Sequence, residues 1–168
     1  MYFSYIYKDI KLNQMKFPKK SPTFYSGKMP KNDYLKYWKV VKQWAKAKYN
    51  LTTADIEMML FIYSEGLFTK SEFEEFNEIM SWDKNRFHKM LNDKWIIKWR
   101  ERKGKESTLY ELGFKGKRVC NSIYRKLNKE ESISEDRKRN PMFKQTTEYS
   151  NKVYRKMIKK MNQERKNL

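Results

Sequence analysis

Along this chain the spacing of apolar residues changes from the three-and-four rhythm of helices to the denser run of strands, then back again. That interruption limits the folds available. Tyr34, Leu35, Tyr37, Trp38, Val41, Trp44 and Ala45 form a broad stripe with Lys36, Lys39, Lys42 and Lys46 opposite, which predicts a helix from Asp33 to near Tyr49 and Asn50. Thr52 or Thr53 caps a second helix, in which Ile56, Met59, Leu60 and Tyr63 recur before Gly66 stops it. Thr69 or Ser71 caps a short acidic helix, Glu72 to Met80, with Phe73, Phe76 and Met80 inward; a further helix follows Ser81, with Phe87, Met90 and Leu91 inward. Trp95 to Arg102 and Thr108 to Leu112 then read as two strands joined by the turn Lys103-Gly104-Lys105-Glu106. Helical spacing returns with Val119, Cys120, Ile123, Tyr124 and Leu127. A polar break at Ser132 to Pro141 precedes a last helix in which Tyr149, Val153, Met157 and Met161 share a face. The fold class expected is mainly α with a small β-hairpin.

The charge is as uneven as the hydropathy. The 168 residues carry 39 Lys and Arg against 20 Asp and Glu, a formal net charge of +19, which points to a polyanion as partner. Residues 50 to 80 run against this, with 7 acidic side chains and 1 basic; residues 81 to 129 hold 15 basic and 5 acidic. The positive potential therefore belongs to particular elements. Residues 1 to 32 combine Pro18, Pro22 and Pro30 with lysines and aromatics and show no helical period, so they read as an extended basic, aromatic arm. Its Lys8, Lys11, Lys16, Lys19 and Lys20 suit a DNA groove, and Tyr2 to Tyr7 suit another protein as an added strand.

Several kinds of chemistry find no residues here. One cysteine, Cys120, and one histidine, His88, leave no disulfide framework and no Cys or His cluster for a metal. Cys120 sits among apolar neighbours and reads as a buried structural thiol. His88 has no Ser, Cys or carboxylate constellation around it, so no catalytic residues are assigned and an enzyme is not expected. Gly113-x-x-Gly116-Lys117 lacks the spacing of a phosphate loop; no cofactor is implied. Glu72, Glu74, Glu75 and Glu78 could hold a cation, but read better as a solvated helix face or as a partner for the basic arm. Met1 to Ile10 lacks the apolar core of a signal peptide, and Met58 to Tyr63 is far shorter than a membrane span. The expectation is a soluble protein of the cytoplasm, associated with the nucleoid, with no membrane partner; for a viral protein the place would be host cytoplasm or virion.

Three short helices followed by a two-stranded hairpin is the order of a winged helix-turn-helix, in which the third helix enters the major groove and the hairpin lies along the backbone or in the minor groove. On a wheel of 100° per residue, Ser81 to Asn92 carries Phe87, Met90 and Leu91 on one side and Asn85, Lys89 and Asn92 on the other, with Arg86 and His88 at the flanks. Asn pairs with adenine, Arg with guanine, and Lys with guanine or phosphate, so these are groove-reading side chains. Arg100, Arg102, Lys103 and Lys105 crowd the hairpin tip around Gly104, where a polyanion would relieve their repulsion. The DNA-binding set expected is Lys84, Asn85, Arg86, His88, Lys89 and Asn92 on the helix and these four cations on the hairpin.

From Asp33 to Met161 the chain resembles the MarR-type winged-helix family, about three quarters of its length. Leu109-Tyr110-Glu111-Leu112-Gly113-Phe114-Lys115-Gly116 looks like that family's wing strand and the turn into the next helix. The resemblance implies a homodimer in which the first and last helices interlock, with residues 1–32 as arm, 33–130 as winged-helix domain and 131–168 as linker and C-terminal dimerisation helix. It implies a regulator of transcription that binds double-stranded DNA. The alternative from the residues is a non-enzymatic structural or assembly protein, such as a virus-particle component, that uses the same fold to dock protein or package nucleic acid. The aromatic arm and the acidic third helix favour that alternative.

Overall fold

In the computed structural model, which describes residues 34–80, 84–144 and 149–167, helix α1 (Tyr34–Tyr49) leads into α2 (Thr53–Glu65). There follow a short strand β1 (Phe68–Thr69), α3 (Lys70–Met80), α4 (Lys84–Asn92), β2 (Ile96–Arg100), β3 (Leu109–Leu112) and α5 (Phe114–Leu127), then a 3-10 turn at Pro141–Phe143 and α6 (Tyr149–Lys166). The described residues form a mainly helical fold of six α-helices with a small, open antiparallel sheet in the order β1-β3-β2.

Helix α2 is apolar over most of its circumference, and so it is the helix the others cover. Ile56, Met58, Met59 and Ile62 are all buried, against α1, α5 and β3. Its start is fixed by a capping box: the Asp55 N–H donates to Thr52 Oγ1 at 3.1 Å and the Thr52 N–H to Asp55 Oδ2 at 2.8 Å. Its end is fixed by Gly66, whose φ of 84° an L side chain rarely adopts and whose N–H donates to the Ile62 carbonyl at 3.0 Å. A similar reciprocal pair between Thr69 and Glu72 opens α3, so Thr69 is the capping residue. On α3, Phe73 is buried and Phe76 packs against the core, whereas Ile79 and Met80 are exposed. Met80, expected inward, lies on a last turn that runs past the core. The first turn of α1 does the same: Tyr34 and Leu35, expected in the stripe, are exposed.

The sheet has one strand more than the sequence suggests. β2 and β3 pair as expected, Ile96 with Leu112 and Lys98 with Tyr110, and a register shift between Lys98 and Arg100 leaves Trp99 between them 53% exposed. β1 adds Phe68 opposite Tyr110 and Thr69 opposite Leu109. Two residues carry no readable alternation; their pairing is decided by the edge that β3 offers.

The segment after α5 belongs to the same core. Ile133, Met142, Phe143, Ile158 and Met161 are buried in one cluster with Tyr37, Val40 and Val41 of α1. The polar break between α5 and α6 is itself built. Asn162 grips Ile133 from both sides, accepting from its N–H at 3.0 Å and donating to its carbonyl at 2.8 Å. The fully buried Asn140 accepts from the Met142 N–H and donates to the Ser134 carbonyl. All described residues fall in one unit, Asn32–Leu168. The arm at 1–32, the Asp33 start and the Ser81 cap lie outside the described residues. Among the described residues no helix is long and apolar enough to cross a membrane.

Candidate nucleic-acid interface

Helix α4 is held by its apolar side. Phe87 and Met90 are buried, and the Phe87 ring meets Phe73 of α3 at 4.7 Å and Tyr110 of β3 edge-on at 5.2 Å. Asn85, His88, Lys89 and Asn92 are exposed, and they form the polar face that the wheel places outward. Such a face carries donors and acceptors without contributing to the core. Lys84 opens the helix; its side chain is outside the described residues.

Arg86 has a different task from its neighbours. It reaches the capping box of α2, donating from one guanidinium nitrogen to Thr52 Oγ1 at 2.9 Å and to the buried carboxylate of Asp55. Lys89 Nζ lies 3.9 Å from the other Asp55 oxygen while its side chain stays 58% exposed. Burial pushes the Asp55 carboxyl up, but the Thr52 N–H, the Thr52 hydroxyl and the Arg86 charge outweigh it and hold the group below the usual carboxylate range. Arg86 thus ties the helix to the start of α2, and Lys89 adds its charge from the outward face. Asp55 is not among the residues singled out from the sequence: its spacing of three from Thr52 is the one local signal, a capping box, and an ion pair between residues 31 apart leaves no local spacing to read.

At the hairpin tip the cations are unequal. Arg100 pairs with Glu106 at 3.0 Å, and Lys98 with Glu101 at 3.3 Å. Arg102 donates to the Gly104 carbonyl at 3.3 Å across a turn that needs Gly104 at φ 61°. Lys103 and Lys105 are exposed, and among the described residues neither they nor Arg102 has a carboxylate partner. The structure thus concentrates unneutralised charge on Arg102, Lys103 and Lys105 and offsets Arg100.

The acidic α3 borders this face. A groove of about 390 Å³ is lined by Glu74 and Glu78 from α3 together with Asn85 and His88 from α4, with Lys70, Phe73, Asn77 and Phe87 completing it. An approaching phosphate would meet both signs of charge there.

Two basic surfaces are not among the sequence-based expectations. The first lies where α5 passes α1, a groove of about 590 Å³ with Lys48, Lys115, Arg118 and Arg125 in its lining and one carboxylate, Glu131. Lys115 Nζ sits 3.6 Å above the Trp95 ring. Glu131 is committed inward, where it pairs with the buried Lys126 and accepts from Ser122 at 3.1 Å. Burial raises the Glu131 carboxyl, but Lys126 and Ser122 more than reverse that; Lys126 is itself lowered, by burial first, against the support of Glu131. The second surface is the outer face of α6. Both lie on helices whose apolar positions dominate the pattern, and the wheel of either polar face is the signal that reveals them.

The remaining candidates are quiet. Cys120 is fully buried, and burial pushes its thiol up to about 12. Among the described residues no group of His, Cys, Asp and Glu is arranged to hold a metal ion; in the acidic helix Glu72 serves as the cap partner of Thr69. Comparison of the chain with protein-family models, with curated proteins and with solved structures gives no match.

Proposed function

We propose that this chain is a non-enzymatic, double-stranded DNA-binding protein of the winged helix-turn-helix class, a MarR-like dimeric regulator of transcription that works in the cytoplasm at the nucleoid. The observation that carries this reading is the pairing of an anchored helix with an under-neutralised hairpin. α4 is fixed by Phe87, Met90 and the Arg86–Asp55 pair while Asn85, His88, Lys89 and Asn92 remain exposed. The hairpin that follows carries Arg102, Lys103 and Lys105 without carboxylate partners among the described residues. Asn and Lys on the helix read base edges, and the hairpin cations lie along the phosphates. Arg86 contributes by holding the helix.

A homodimer gains support from the exposed apolar side chains at the starts of α1 and α6. Leu35 is 83% and Tyr149 80% exposed, and Tyr149 and Val153 line a groove of about 320 Å³ with Val40 and Met157. A two-fold contact there would space two copies of α4.

Selection of a random-sequence duplex pool at several salt concentrations tests the reading. A regulator enriches a two-fold-related motif, loses it on Asn85→Ala, and shows affinity falling steeply with salt. Weak binding with no motif favours a structural or assembly protein, a second reading supported by Glu74 and Glu78 beside Asn85 and His88, which suits a protein partner better than a phosphate.

A further inference from the structure

We propose that the outer face of α6 is a second surface for the phosphodiester backbone of nucleic acid, separate from α4 and the hairpin. Lys152, Arg155, Lys156 and Lys159 stand at i, i+3, i+4 and i+7 along α6, so they share a face. That face is turned away from Ile158 and Met161, which enter the core. Arg137, from the connection before α6, joins them, and the five cations with Phe143 line a groove of about 470 Å³ that, among the described residues, holds no carboxylate.

Of the described acidic residues nearby in sequence, three are engaged elsewhere. Glu135 accepts from Asn162 at 2.8 Å, Asp136 lies 4.0 Å from Arg139, and Glu164 pairs with Lys129 at 3.5 Å. Lys152, Lys156, Lys159 and Arg137 have no ion pair among the described residues. Like charges at these spacings work against the helix, and a polyanion removes that repulsion. From Lys152 to Lys159 the helix rises roughly 10 Å at 1.5 Å per residue, the axial length of about three phosphates of one strand. The apolar lining of the groove is Phe143, itself buried, so a membrane or an acidic protein would find little apolar surface to bury within it.

The surface lies on an element that packs on α1 and the 3-10 turn, whereas α4 packs on β2. Two such surfaces would let one chain hold two stretches of nucleic acid.

The test is a two-by-two comparison on the full chain. One change is the triple substitution Lys152→Gln, Lys156→Gln and Lys159→Gln; the other is Arg102→Gln with Lys103→Gln and Lys105→Gln. Each is made alone and both together, and affinity for a labelled random-sequence duplex is measured against salt. The α6 triple should lower the salt slope by about 2.7, near 0.9 for each phosphate no longer neutralised, in either hairpin background. It should also abolish capture of a free labelled duplex by protein on a bead-bound one. The matching Lys→Arg triple should keep both properties, and circular dichroism should show each variant folded. An unchanged slope in both backgrounds overturns the proposal even where the hairpin change lowers it, in which case the DNA-binding reading survives alone. A slope that falls with the α6 triple but ignores the hairpin supports this surface and sinks that reading. If the triple leaves the duplex slope alone but loses phosphatidylserine vesicles, the face is a lipid surface and the proposal falls.

Discussion

Asp55 joins the start of α2 to α4 through one buried carboxylate. It is 1% exposed, caps α2, and receives Arg86 from α4 and the approach of Lys89. Removing the carboxylate would leave the Arg86 guanidinium without its counter-charge and the Thr52 N–H without its acceptor. Asp55→Ala should destabilise the fold by about 3 kcal/mol, the scale for breaking a largely buried pair, read by urea denaturation. Because the folded state holds this carboxyl below its ordinary value, its stabilisation is fully present above the unfolded value near 4 and is lost as pH falls through the lower, folded one. Asp55→Asn should flatten that acid limb. Gly113 sets a second constraint, since a Cβ there would lie 2.8 Å from the Lys94 carbonyl oxygen. Backbone cannot step aside as a side chain can, so Gly113→Ala should cost on the order of 1–3 kcal/mol and shift the start of α5, visible in amide chemical shifts. The Cys120 thiol, pushed up to about 12 by burial, should react with a thiol reagent only as fast as the protein opens; rapid labelling of the native state would contradict its placement.

Among the elements, α4 and the hairpin divide the work between anchoring and exposure. If the proposed DNA-binding function holds, Arg86→Ala should lower stability and reduce duplex affinity in proportion to the helix that unravels, while Lys103→Gln and Lys105→Gln should leave the urea midpoint within about 0.5 kcal/mol of the parent and reduce the salt slope alone. Equal stability losses from both would mean that the hairpin cations are packed, contrary to their exposure. The outer face of α6 works against its own helix through like charges, each pair costing about 0.2–0.5 kcal/mol. Lys156→Gln, between Lys152 and Lys160, should therefore raise the thermal midpoint slightly. These elements were legible where apolar residues recur at helical spacing: α1, α2, α5 and α6 form where that spacing places helices, although Tyr63, Tyr124, Tyr149 and Val153 of those stripes are exposed, and Gly66 and Gly104 sit where the backbone takes positive φ. The two residues of β1 were not, since their strand character is a hydrogen-bond ladder with Tyr110 and Leu109 and not a pattern of their own.

For the whole molecule, the C-terminal third is part of the core. Ile158 and Met161 are buried with Tyr37 and Val41, and Asn162 fixes the connection. Ending the chain before Tyr149 would uncover that side of α1 and remove about 3–6 kcal/mol from two buried side chains alone, so the shortened protein should unfold at markedly lower urea. The residues themselves determined the helical class, the position of the hairpin, the outward polar face of α4 and the surplus of positive charge, because each depends on spacing within a few neighbours. The tertiary structure decided which charges are free. Arg86 and Arg100 are spent on Asp55 and Glu106, Glu131 is turned to Lys126, and Lys152, Lys156 and Lys159 are left in a groove that, among the described residues, holds no carboxylate. Such pairings form between chain segments that only folding brings together, and a charge has no partner until its neighbours in space exist.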